Sequence, residues 1–177
     1  MRLPMQSCMS PSQIASLYDA HAPGLFRFLM ALCHQEADTR DLLQEVFLRA
    51  ARRPHGEMMR DPAAWLFRTA RNLHIDHTRR HGARQRAMER LAREPEHERS
   101  GDAEDRLPGT PVSLAAAVAA LPEEQRAVLH LKIWEDLTFA RIGEILDIPA
   151  NTAASRYRYA LDKLRTVFRK TVTTHES

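Results

Sequence analysis

Trp65, Arg68, Asn72, Asp76 and Arg79 recur at three- to four-residue spacing, so a helix through them would gather all five on one face. Arg71, Arg80, Arg84 and Arg86 add positive charge around and beyond that stripe. These side-chain types suit DNA. Guanidinium groups pair with phosphates, Asn offers a base edge both a donor and an acceptor, and an indole stacks on a base freed by strand opening. The plainer alternative is a solvated helix with Asp76–Arg80 and Asp76–Asn72 contacts and a buried Trp65.

The element that must position this stripe is legible in the same residues. Asp61 is a capping residue and Pro62 suits a first helical position, where its missing N–H would be unpaired anyway. Leu66, Ala70, Leu73 and His77 form the opposite, core-facing stripe. Upstream, Ile14, Leu17, Tyr18, Leu25, Phe26, Leu29 and Leu32 suit one or two helices, with Pro23 and Gly24 marking a bend or break. A further helix is capped by Asp38 or Thr39 and buries Leu42, Leu43, Val46, Phe47 and Ala50. Asp41, Gln44, Glu45 and Leu48 occupy its adjacent side. A mixed acidic and apolar stripe of this kind fits a basic helical partner, although acidic groups near a helix N-terminus also serve the helix dipole.

Residues 11–81 thus read as one helical domain, and the chain changes character after them. Across residues 82–111, Arg and Glu alternate, apolar side chains thin out after Leu91, and Pro95, Gly101, Pro108, Gly109 and Pro111 interrupt. This reads as a flexible polar linker with a frayed helix at its start, leaving the flanking domains free to move. Residues 112–170 form a second helical domain. Leu114, Val118 and Leu121 begin it, Pro122 opens a helix that turns Ala127, Val128, Leu131 and Trp134 inward, and Thr138 caps a short helix. Asp147, Ile148 and Pro149 make the turn of a helix-turn-helix, and Asn151 or Thr152 caps the longer helix that follows. Thr152, Ser155, Arg156, Arg158, Tyr159 and Lys163 face outward near the end that enters the major groove in this motif. The fold class is therefore all-α: two small helical domains, the second with a helix-turn-helix.

Composition excludes several function classes. The 177 residues are 44% hydrophobic, enough for a core in each domain, and the formal charge of +3 favours an anionic partner. There is no run of about eighteen apolar residues and no secretory leader, so a cytoplasmic protein without membrane insertion is expected. Cys8 and Cys33 make no disulfide framework, and no second Cys/His pair stands at ligand spacing to Cys33-His34. No Gly-rich phosphate loop, metal-ligand cluster or nucleophile–base motif occurs, and the nine His are scattered singly, which argues against an enzyme and against a cofactor.

Residues 39–51 (TRDLLQEVFLRAA) followed by 65–76 (WLFRTARNLHID) resemble region 2 of the extracytoplasmic-function sigma factors. Residues 120–129 (ALPEEQRAVL) and 137–149 (LTFARIGEILDIP) resemble region 4 of the same family. The resemblance implies a bacterial factor that binds core RNA polymerase and directs it to promoter DNA. It would put Asp41, Gln44, Glu45 and Leu48 on the polymerase clamp helices. Trp65, Arg68, Asn72, Arg79 and Arg80, with the loop over residues 53–61, would lie at the melted minus-ten element, and Thr152, Ser155, Arg156 and Arg158 at the minus-thirty-five element. It also implies an anti-sigma factor as regulator. The chain departs from the family pattern at Ala154, where many relatives carry a basic residue, at Asn151, where many carry Gly, and at Arg141, where Glu would complete a capping box with Thr138. A stand-alone helix-turn-helix regulator is the alternative. It accounts for residues 112–170 and leaves the pattern between Asp38 and Trp65 without a purpose.

Overall fold

In the computed structural model, residues 9–53, 61–91 and 113–173 are described. They are all-α: among the described residues there are seven helices and no strand. Helix α1 spans Pro11–Cys33, α2 Glu36–Ala51 and α3 Pro62–Leu91; α4 spans Leu114–Ala119, α5 Glu123–Ile133, α6 Phe139–Leu146 and α7 Ala150–Thr173.

Helix α1 opens with a reciprocal cap in which the Gln13 N–H donates to the Ser10 hydroxyl and the Ser10 N–H donates to the Gln13 side chain. It then runs unbroken through Pro23 and Gly24, one helix and not two, so there is no break at that pair. Pro23 faces solvent, while Ala22, Leu25, Phe28, Leu29 and Leu32 are buried, so packing along one side outweighs a single lost backbone bond. His34 closes the helix at φ 59°. Only Gln35 then separates it from α2, which starts at Glu36, ahead of either expected cap. Thr39 is instead fully buried inside α2, its hydroxyl donating to the Gln35 carbonyl at 2.8 Å.

Asp61 caps α3 as expected, accepting from the Ala64 N–H at 2.8 Å. The helix continues past His81 to Leu91, so the first ten residues assigned to the linker extend it; residues 92–112 lie outside the described part. Leu66, Ala70 and Leu73 face the core, but the buried histidine is His74, while His77 is half-buried near Asp38.

In the second half, Pro122 is the cap of α5 and not its first residue. Trp134 at the α5 C-terminus is 46% exposed and stacks on His130 with centroids 5.0 Å apart, so the interior expected for it is filled by Arg126 and His130. The Arg126 guanidinium donates to the Ala119 and Leu121 carbonyls at 2.8 Å each, which ties the α4–α5 turn to α5. Thr138 caps α6 by accepting from the Arg141 N–H. Because α7 begins at Ala150, Asn151 and Thr152 fall inside its first turn, and the Thr152 N–H donates to the Pro149 carbonyl in place of the expected side-chain cap.

Gly143 sets the angle of the helix-turn-helix. A Cβ there would stand 2.6 Å from the Ile148 carbonyl oxygen, a backbone atom that cannot swing aside. Gly143→Ala should therefore lower unfolding stability by about 1–3 kcal/mol despite the better helix propensity of alanine. An unchanged denaturation midpoint would contradict the close approach.

The two halves do not stand apart as a freely moving tether would allow. Val128, Leu131, Ile142, Ile145 and Leu146 of the second half share one buried cluster with Leu25, Phe28, Val46, Leu66 and Ala70 of the first. Phe28 lies edge-on to Phe67 at 5.4 Å and 5.6 Å from the His130 ring, and so contributes to both. Ala117, Leu121, Leu129, Ala160 and Leu164 form a second, smaller core under α7.

Candidate nucleic-acid interface

The α3 stripe is assembled largely as its spacing requires. Asn72, Arg79 and Arg80 are exposed, and Trp65 is half-buried at the edge of the core with the Arg53 guanidinium 5.0 Å above its ring. The indole packs against the core and the guanidinium lies over its ring, so a base could stack there only in place of Arg53. The loop over 54–60, expected to help read the same element, lies outside the described residues. Arg68 is exposed but occupied: it donates to the Glu144 backbone carbonyl of α6.

On α2, Asp41, Gln44 and Leu48 are exposed and Glu45 is half-buried, ion-paired with Arg49 at 2.9 Å. Gln44 and Leu48 line an open groove of about 490 Å³ between α1 and α2, together with Ile14, Tyr18, Arg40, Leu43 and Phe47; Asp41 and Glu45 lie beside it on α2 and not in its lining. Tyr18 and Phe47 pack at 4.8 Å between centroids. Of the residues that line the groove, sequence reasoning singled out Gln44 and Leu48 and missed Ile14 and Tyr18 as the far wall. Their signal was available, since Tyr18 is a large aromatic at the polar start of α1 and remains 48% exposed.

The outer face of α7 is less open than its sequence indicates. Arg158, Tyr159 and Lys163 are exposed, but Thr152, Ser155 and Arg156 are half-buried. The Ser155 hydroxyl donates to the Thr152 carbonyl at 3.0 Å, and Arg156 is ion-paired with Glu124 of α5. Of the four residues expected at the major groove, Arg158 alone is fully presented. The other three are half-buried, two of them already engaged within the protein.

Contacts between the halves form a clasp that sequence reasoning did not foresee. Arg141 bonds both Asp61 at the α3 N-terminus and its neighbour Glu144, which gives the residue that breaks the capping-box pattern a role in this arrangement. Glu135 sits against Gly24, where an added Cβ would lie 2.9 Å from its Oε1, and is 3.7 Å from Arg27 and 3.8 Å from His130. Burial, with repulsion from Arg27, holds the His130 imidazole down at about 4, so at neutral pH it meets Glu135 uncharged. His74 of α3 lies 3.3 Å from Glu123 of α5.

Cys33 is half-buried with its Sγ 3.4 Å from His74 Nδ1. Burial pushes its thiol up to about 11, which leaves almost no nucleophilic thiolate at neutral pH. Among the described residues no group of three or more His, Cys, Asp or Glu could hold a metal ion, and no helix is long and apolar enough to cross a membrane.

Residues 17–84 match the Sigma-70 region 2 family and residues 117–166 match Sigma-70 region 4. The chain is 34% identical over 158 residues to the ECF RNA polymerase sigma factor SigL of Mycobacterium tuberculosis, covering 85% of each chain. It is 31% identical over 156 residues to the ECF RNA polymerase sigma factor RpoE of Cereibacter sphaeroides, covering 85% of this chain and 83% of that one. In fold it is similar to the sigma factor RpoE of Bartonella quintana solved in complex with the anti-sigma factor NepR, at a TM-score of 0.68 and 20% identity, over 89% of this chain and 98% of that one. CnrH, solved in complex with the cytosolic domain of CnrY, is similar at a TM-score of 0.59 and 19% identity, over 95% and 92%. With both regions matched in this order and relatives aligned along most of their length, the chain belongs to the extracytoplasmic-function RNA polymerase sigma factors, which initiate transcription and are not enzymes.

Proposed function

We propose that this sigma factor engages core RNA polymerase through the α1–α2 groove and its rim of Asp41, Gln44, Glu45 and Leu48, and opens the minus-ten element with the α3 stripe. One observation supports this most directly: a largely apolar groove, with Asp41 and Glu45 beside it on α2, and a Trp–Arg–Asn stripe share one three-helix unit, so polymerase capture fixes where the stripe meets DNA. Trp65 stacks on a base leaving the duplex, Asn72 offers paired hydrogen bonds to a base edge, and Arg68, Arg79 and Arg80 hold phosphates. Helix α7 turns Arg158, with Thr152, Ser155 and Arg156 after their release, toward the minus-thirty-five element. Promoter melting needs no nucleotide-driven step here, because stacking and phosphate contacts offset an unstacking cost of a few kcal/mol.

The clasped arrangement is the resting state of the free chain in this reading. Arg68 cannot hold DNA while it holds Glu144, so polymerase or promoter binding must part α3 from α6. An anti-sigma factor that favours the clasped arrangement would keep the factor silent, as the anti-sigma complexes of similar structure make natural. The site of action is the cytoplasm, where polymerase and promoter are found.

Run-off transcription with core polymerase and genomic promoter fragments tests the reading: transcripts should depend on the chain. Trp65→Leu retains apolar packing but removes the flat ring. It should leave closed-complex formation unchanged and reduce permanganate reactivity of the minus-ten thymines by about ten- to a hundredfold, the worth of one base–aromatic stack. Equal reactivity would remove Trp65 from melting. Absent transcripts, with tight duplex binding by the chain alone, would favour a stand-alone regulator.

A further inference from the structure

The last turns of α3 have no packing role. From Ala83 to Met88 every side chain is exposed, and Thr78, Arg79, Arg80 and His81 before them are exposed as well. Residues 77–88 carry four arginines, two histidines and no acid. Among the described residues no carboxylate pairs with Arg79, Arg80, Arg84 or Arg86. A polar helix projecting beyond its core without such support is stable only marginally by itself and is suited to a partner that neutralises it.

The direction of the projection identifies the partner. At 100° per residue, Arg79 and Arg86 fall in line with Arg68 and Asn72, so the minus-ten stripe continues along one face. Arg86 lies eighteen residues beyond Arg68, or about 27 Å along the axis, which spans roughly eight base-pair steps. Strand opening at Trp65 leaves the melted bubble on one side and intact duplex on the other, and a helix leading away from the wedge over unmelted DNA meets paired phosphates. Gly82 lies on the same face, between Arg79 and Arg86, with the Arg86 guanidinium folded near it: an added Cβ would sit 3.5 Å from that group. Glycine inside a helix costs about 1 kcal/mol relative to alanine, and here it lowers the surface where a phosphodiester would approach. The region 2 match stops at residue 84, while the helix runs on to Leu91.

We infer that the α3 extension is a duplex-binding arm, with Arg86, in line with Arg79, holding a backbone phosphate of the spacer immediately upstream of the minus-ten element, without regard to base sequence. The inference rests on the assignment of α3 to the minus-ten element.

The test uses holoenzyme reconstituted from the full chain, bound to a promoter found by run-off transcription across a salt series. Arg86→Ala should weaken binding about threefold whatever the spacer sequence, and flatten the log–log salt slope by about 0.9, the worth of one phosphate contact, whereas Arg84→Ala, on the opposite side of the helix, should leave the slope unchanged. Arg86→Lys should retain the slope, which separates lost charge from a disturbed helix. Promoter DNA with three uncharged methylphosphonate linkages upstream of the minus-ten element should bind wild type more weakly and leave the Arg86→Ala variant indifferent. An unchanged slope for Arg86→Ala, or equal sensitivity of both proteins to the neutral patch, overturns the arm. If wild type drives transcription yet ignores the patch, the arm fails and the sigma reading stands; if it drives none, both fail.

Discussion

Asp41→Arg combined with Glu45→Arg is expected to abolish capture of core RNA polymerase while leaving the helical fold intact. Both residues border the α1–α2 groove on the solvent side of α2, whereas the contacts that hold α2 in place come from Leu42, Leu43, Val46 and Phe47 on its buried side. The local cost is small: Glu45 loses its pair with Arg49 and gains a like-charge neighbour one turn away, worth about 0.5 kcal/mol. The interfacial cost is large. Reversing two charges against a basic partner replaces attraction with repulsion, and desolvated pairs at interfaces couple by about 2–5 kcal/mol, so affinity should fall at least a hundredfold. A pull-down against core polymerase, with circular dichroism on the same samples, reads both consequences. Undiminished capture would remove α2 from the docking face. Tyr18→Ala, on the opposite wall of the groove, should weaken capture less, because it removes apolar contact without adding repulsion.

The sequence made the elements more legible than their limits. Apolar periodicity located the helices, and Asp61 and Thr138 cap as their types require. The misplaced boundaries have one cause: tertiary packing overrode a local signal. Pro23 did not end α1 because the buried side of the helix passes straight through it. Thr39 did not cap α2 because a one-residue link after His34 forces the helix to begin at Glu36. The α3 stripe could be read because all its members lie on one helix, where spacing determines face. The clasp could not. Arg141 and Asp61, or Glu135 and Gly24, belong to different elements, and nothing in either local pattern announces the other. Arg141 left a trace only as a departure from its family. The same limit explains Arg156, whose basic type signalled DNA although Glu124 holds it in this arrangement.

Arg141→Glu is expected to open the clasp and give the free chain DNA affinity that it otherwise conceals. In the closed form Arg141 neutralises Asp61 at the α3 N-terminus and Glu144 on its own helix. The substitution gathers three carboxylates where one cation had balanced two, and partly exposed pairs of this kind contribute up to about 1 kcal/mol each, with like charges costing a similar amount. A swing of about 2 kcal/mol changes a closed-to-open ratio about thirtyfold, and a ligand that binds only the open form gains affinity in proportion until that form dominates. Arg68 is then released from Glu144, and the stripe from Trp65 to Arg80 is clear of α6. Three readouts should move together: a larger radius of gyration by small-angle scattering, faster alkylation of Cys33 in a Cys8→Ser background, and tighter binding of forked promoter DNA without polymerase. The thiol is informative because burial raises its pKa, so loss of cover speeds its reaction by restoring thiolate as well as access. Tighter DNA binding at unchanged dimensions would mean that Arg141 acts by local charge. Unchanged values for all three would mean that the clasp does not restrain the free factor.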